Sequence, residues 1–121
     1  MKKVLIVEDE IALREVYVTL FTIEKFDVYQ AVNGKDALKQ LPKIKPDIML
    51  VDVLMPEMGG MEFLQIAPLR DKYPKTKILM LTNLSDTKTL QQIKDLGANY
   101  ILKSSISPLQ LVQAVRELLA S

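Results

Sequence analysis

Neither histidine nor cysteine occurs among the 121 residues. Without histidine the chain lacks the commonest general base near neutral pH and the commonest transition-metal ligand. Without cysteine it can form no disulfide and no thiolate metal site, which fits a reducing compartment. An excess of one charge is also missing: 16 Lys and Arg against 15 Asp and Glu leave a net charge of +1. That balance points neither to nucleic acid nor to an anionic membrane. Long apolar runs are absent as well. The stretch after Met1-Lys2-Lys3 is too short for a signal peptide, and no run is long enough to span a bilayer. Chemistry must therefore rest on carboxylates, lysines, hydroxyls and the backbone. With 49% hydrophobic and 26% charged residues, the expectation is one soluble cytoplasmic domain over residues 1–121.

Short apolar runs alternate with longer stretches of helical spacing. The runs are Val4-Leu5-Ile6-Val7, Val28-Tyr29-Gln30-Ala31, Ile48-Met49-Leu50-Val51, Ile78-Leu79-Met80-Leu81 and Tyr100-Ile101-Leu102. Most are continuous rather than alternating, as strands buried on both faces of a parallel sheet should be. Between them, Leu13, Val16, Tyr17, Leu20 and Phe21 form one helical stripe. Leu111, Val112, Val115, Leu118 and Leu119 form another. Five strand–helix repeats make the fold class α/β with a parallel sheet.

Local signals place the boundaries. Asn33-Gly34 opens the second helix, and Pro42 with Pro46 should separate it from the third strand. Ser85 is the expected N-cap before Asp86, and Gly97 the expected C-terminal stop. Ser107-Pro108-Leu109-Gln110 reads as an N-cap, a first-turn proline and a capping-box glutamine. Pro68 falls inside the third helical stretch and predicts a short helix or an irregular last turn.

In an open parallel sheet, ligands collect at the carboxyl ends of the strands. Glu8-Asp9-Glu10 follow the first run, Asp52 the third, Thr82 the fourth and Lys103 the fifth. Each residue alone has a plain explanation: dipole-favouring acids, a turn aspartate, a strand threonine, a solvated lysine. Their coincidence at one end of successive strands is a stronger signal. Clustered carboxylates repel unless something positive sits among them. Lys103 offsets one charge, and the rest suit a hard cation with oxygen ligands, most naturally Mg²⁺. A cation, a lysine, a hydroxyl and a spare carboxylate are the equipment for phosphoryl transfer onto that carboxylate.

These residues, with the segment Asp52-Val53-Leu54-Met55-Pro56-Glu57-Met58-Gly59-Gly60-Met61-Glu62, resemble the receiver domain of two-component response regulators. The resemblance implies a three-layer, doubly wound flavodoxin-like (βα)5 fold with strand order 2-1-3-4-5 and five helices. It implies that Asp52 is the phosphoacceptor, and that Glu8, Asp9, Asp52 and the backbone carbonyl of Leu54 hold Mg²⁺. Thr82 and Lys103 would bind the phosphoryl group, with Thr82 and Tyr100 as switch residues. The donor would be a phosphohistidine on a sensor histidine kinase or phosphotransfer protein. The readout would pass through the face made by the fourth helix, fifth strand and fifth helix, to a downstream protein or a fused output domain. A phosphorylation-dependent homodimer is left open. Direct binding to nucleic acid or membrane is not expected, and catalysis would be limited to the domain's own phosphorylation and dephosphorylation.

Four departures from the family pattern matter. Ser104 follows the lysine where proline is frequent, and Asn83 follows the threonine where a small residue is frequent. Asn83 is expected to point to solvent. Gly59 stands where many members carry aspartate, which would loosen the loop after Met55-Pro56. Gly97-Ala98-Asn99-Tyr100 lacks the acidic pair of members that dimerise through ion pairs. Three rival readings remain: a flavin or nucleotide binder, which the acids after the first strand disfavour; an aspartyl-phosphate phosphatase, for which a second acid–base carboxylate is missing; and a receiver-like binding module that is not phosphorylated.

Overall fold

All five apolar runs are strands in the computed structural model, which describes residues 1–83 and 85–121. The elements run β1 (Lys3–Val7), α1 (Ile11–Ile23), β2 (Asp27–Ala31), α2 (Gly34–Ile44), β3 (Ile48–Asp52), α3 (Gly60–Ile66) and α4 (Leu69–Lys72). They continue with β4 (Lys77–Thr82), α5 (Thr87–Asp95), β5 (Asn99–Leu102), a 3-10 turn (Lys103–Ser105) and α6 (Pro108–Ala120). The strands form one parallel sheet in the order β2-β1-β3-β4-β5.

The continuous apolar runs are explained by a core on each face of the sheet. Along β1, Val4 and Ile6 pack with Phe21 of α1 and Leu111, Val112 and Val115 of α6. Leu5 and Val7 face the other way, towards Ala37 and Leu41 of α2, Phe63 of α3 and Ile93 of α5. The same alternation along β3 and β4 leaves no polar face on the central strands. Phe21 and Phe26 meet edge-to-face with centroids 5.2 Å apart. In α1 the stripe is shifted from expectation. Val16 is 50% exposed, while Val18 packs against the core.

Two local expectations change, and a third holds but adds a helix. Pro42 does not end α2 but sits in its last turn; the helix runs on to Ile44 and stops at Lys45, which adopts a left-handed conformation. In the last turn the proline still removes the bond to the carbonyl four residues back, and burial of Leu41 and Ile44 offsets that loss. At α5 the N-cap is Asp86, not Ser85: the Asp86 carboxylate accepts from the Thr89 amide at 3.0 Å and the Thr89 hydroxyl at 2.7 Å. An ionised cap also suits the helix dipole. Pro68 does break the third helical stretch, giving seven-residue α3 and one-turn α4. The fold therefore has six helices rather than five, and the expected fourth and fifth helices are α5 and α6. The capping box at Ser107 and Gln110 forms as read, and Gly97, at φ +85°, follows the end of α5.

Candidate functional site

Strand register brings the site together. Val7 pairs with Val51, so Glu8 emerges beside Asp52. Asp52 pairs with Leu81, placing Thr82 one step further along β4, and Thr82 pairs with Leu102, so Lys103 comes next. Four strand ends thus deliver their polar residues to one edge of the sheet, where the order reverses around β1 and β3.

Glu8, Asp9 and Asp52 each place a carboxylate oxygen within 4.8 Å of the others. Glu8, Asp52 and Thr82 are buried, whereas Asp9 is more open to solvent. Lys103 Nζ donates to Asp52 Oδ2 at 3.1 Å and to Glu8 Oε1 at 3.3 Å. Burial pushes the Glu8 carboxyl up to about 7, with the Asp52 charge adding to the rise; the Glu10 amide and Lys103 pull it back. Burial alone would lower the Lys103 ammonium, but the Asp52 and Glu8 carboxylates outweigh it and raise the pKa. One ammonium among three carboxylates leaves the cluster short of positive charge. Oxygen-only donors on a partly open site fit a hard divalent cation such as Mg²⁺.

The supporting contacts are local and specific. The Leu54 amide faces Asp52 Oδ1 at 3.4 Å, and the Val53 amide donates to Leu81 O at 3.1 Å. Gly60 starts α3 against the end of β3: a Cβ there would stand 2.5 Å from the Asp52 carbonyl oxygen and 2.7 Å from Met80 Cε. Gly59 does not leave the preceding loop untied. The Gly60 amide donates to Val53 O at 2.9 Å, the Gly34 amide to Met58 O at 3.0 Å, and Asn33 Nδ2 to Glu57 Oε2 at 2.9 Å.

Tyr100 lies two residues before the end of β5. It is half-buried on β5, paired with Met80, with Lys94 Nζ 5.7 Å from its ring centroid. Asn83 is exposed as expected, yet its Oδ1 accepts from the Ser104 amide at 3.1 Å. Sequence reasoning missed Arg14, whose Nη1 donates to Glu8 O at 2.7 Å and whose Nε donates to Gln30 Oε1 at 3.1 Å. No spacing rule marks such a residue, because its partners lie on two other elements.

Comparison with known proteins agrees with this geometry. The family model "Response regulator receiver domain" matches residues 4–116. Sporulation initiation phosphotransferase F of Bacillus subtilis is 32% identical over 97 residues, covering 80% of this chain and 77% of that protein. The regulatory protein AtoC of Escherichia coli is 32% identical over 104 residues, but the match covers 85% of this chain and only 22% of AtoC. For the transcriptional regulatory protein YdfI of Bacillus subtilis the shared part is 50% of the relative. Several curated relatives are therefore at least twice as long as the part this chain matches. Among solved structures, the chemotaxis response regulator CheY4 of Vibrio cholerae superimposes with a TM-score of 0.87 at 31% identity, over 98% of both chains. A CheY-like receiver from Methanospirillum hungatei gives 0.90 at 26% identity, over 99% of this chain and 94% of that one. Among the described residues no helix is long and apolar enough to cross a membrane. The carboxylate–lysine cluster at the strand ends, the 2-1-3-4-5 sheet and these matches converge: the chain belongs to the response regulator receiver domain family of two-component signalling.

Proposed function

We propose that residues 1–121 act as a single cytoplasmic receiver in which Asp52 is the phosphoacceptor, supplied by a phosphohistidine on a sensor kinase or phosphotransfer protein. The observation that carries this reading is Lys103, which spans Asp52 and Glu8 with both bonds at or under 3.3 Å. Glu8, Asp9, Asp52 and the Leu54 carbonyl would hold Mg²⁺, which when bound neutralises charge on the phosphoryl oxygens. An Asp52 oxygen attacks phosphorus; the new O–P bond forms as the donor N–P bond breaks, and the electron pair returns to the imidazole nitrogen. Lys103 and the Thr82 hydroxyl then hold the phosphoryl oxygens. The domain catalyses only this transfer and the later hydrolysis of the acyl phosphate, in which water attacks phosphorus, the Asp52 carboxylate leaves and inorganic phosphate is released.

Phosphate adds charge and acceptors that Thr82 and Lys103 meet by moving towards Asp52, and Tyr100 turns in behind Thr82. The face affected is α5, β5 and α6, where Tyr100, Ile101, Leu102, Ile106 and Gln110 line an open groove of about 400 Å³. A downstream protein, a fused output domain or a second copy reads that face. Phosphate shifts it only as far as its affinity differs between the two arrangements.

Intact-mass analysis after incubation with Mg²⁺ and acetyl phosphate, beside Asp52→Asn, tests the acceptor. A single Mg²⁺-dependent phosphoryl gain, absent in the variant, is expected. An unmodified wild type that is folded and binds Mg²⁺ would favour a binding module without phosphorylation.

A further inference from the structure

The two departures from the family pattern beside Thr82 and Lys103 are partners in one hydrogen bond. Asn83 Oδ1 accepts from the Ser104 amide at 3.1 Å. β4 and β5 pair as far as Thr82 and Leu102, where both strands end. Beyond that rung the Asn83 side chain takes the place of a backbone carbonyl and carries the tie one step past the sheet. A proline at position 104 would have no amide hydrogen to give, and a small apolar residue at 83 would have no acceptor. The contact needs both residues.

Its location gives it a task. Lys103 opens a 3-10 turn immediately after β5, and its long side chain must reach Asp52 and Glu8 from there. A lysine side chain carries large rotamer entropy, so an unanchored backbone would spread the ammonium over many positions. The tie joins the residue after Thr82 to the residue after Lys103.

We propose that Asn83 is a positioning residue for the phosphoryl site, acting through the Ser104 amide on the placement of Lys103 relative to Thr82 and Asp52. This role rests on Asp52 being the acceptor.

The test uses the full chain as wild type, Asn83→Ala, Ser104→Pro and the double variant. Amide exchange by NMR reads the bond, and the rate of Mg²⁺-dependent adduct formation from acetyl phosphate reads its effect. Beryllofluoride and Mg²⁺ titrations separate phosphoryl from metal binding. The Ser104 amide is expected to exchange slowly in the wild type and faster in Asn83→Ala. Adduct rate and beryllofluoride affinity should fall about three- to tenfold, the range of one net hydrogen bond. Mg²⁺ affinity should stay within about twofold, and the double variant should lose no more than either single, since both remove the same bond. Wild-type rates and beryllofluoride affinity in Asn83→Ala, or additive losses in the double variant, would overturn the proposal while leaving the acceptor intact. A wild type that takes no adduct overturns the acceptor and this role together. If the proline variant does not fold, Asn83→Ala alone decides.

Discussion

Lys103 Nζ lies 3.1 Å from Asp52 Oδ2, although 51 residues separate them in the chain. The same ammonium lies 3.3 Å from Glu8 Oε1, and it is the positive charge that lets two buried carboxylates share one site.

Removing that ammonium is the sharpest perturbation. Lys103→Met keeps the apolar stem but leaves Asp52 and Glu8 without a cation. A charge-assisted bond is worth about 1.5–3 kcal/mol, so phosphorylation by acetyl phosphate should slow roughly 10- to 100-fold. Timed intact-mass spectra check this; a variant labelled at the wild-type rate would remove Lys103 from the mechanism.

The Glu8 carboxyl sets a pH dependence in the metal-free protein. Its pKa rises from 4.5 to about 7 on folding, mainly through burial. The native state therefore holds its proton over a range where the unfolded chain has released it. The associated stability is complete below about pH 4.5 and is lost as pH rises through 7. Lys103, shifted upwards, stays charged across this window and adds no slope. Thermal melts in chelator should fall by roughly 5–10 °C between pH 5 and 7.5, and Glu8→Gln should flatten the curve. An unchanged slope in Glu8→Gln would assign it to other groups.

Mg²⁺ should reverse that loss. A cation that binds only the folded cluster would, at 100 times its Kd, stabilise it by about 2.7 kcal/mol. Melts at pH 7.5 should rise with Mg²⁺ in the wild type and much less in Asp9→Asn or Asp52→Asn. Equal shifts in all three would point to a different site.

Gly60 couples packing to chemistry. The Cβ of Gly60→Ala would meet the Asp52 carbonyl oxygen at 2.5 Å, a backbone atom that cannot swing aside. Overpacking of this kind costs about 1–3 kcal/mol, and because it displaces the end of β3 it should also slow phosphorylation. Denaturant unfolding and the adduct rate, measured on one sample, test the pairing of the two losses.

The cap of α5 gives a surface control. Asp86→Ala should destabilise the protein, and Ser85→Ala should be close to neutral, because the Asp86 carboxylate holds Thr89. The opposite ranking in urea unfolding would return the cap to Ser85.

The strands, the two-faced core and the strand-end residues Glu8, Asp9, Asp52, Thr82 and Lys103 were legible because parallel-sheet strands are continuous apolar runs and ligands gather at their carboxyl ends. The Ser107 capping box was legible for a similar reason: its partners are three residues apart. Pro42 inside α2 was not, since a local rule for helix breaking does not count the burial of Leu41 and Ile44 that offsets it. Arg14 on the Glu8 carbonyl and Asn83 on the Ser104 amide were beyond reach too, the second across 21 residues. Sequence periodicity encodes which face of an element is buried. Which two loops end up 3 Å apart depends on the register of β4 against β5, and that is settled only when the whole sheet packs.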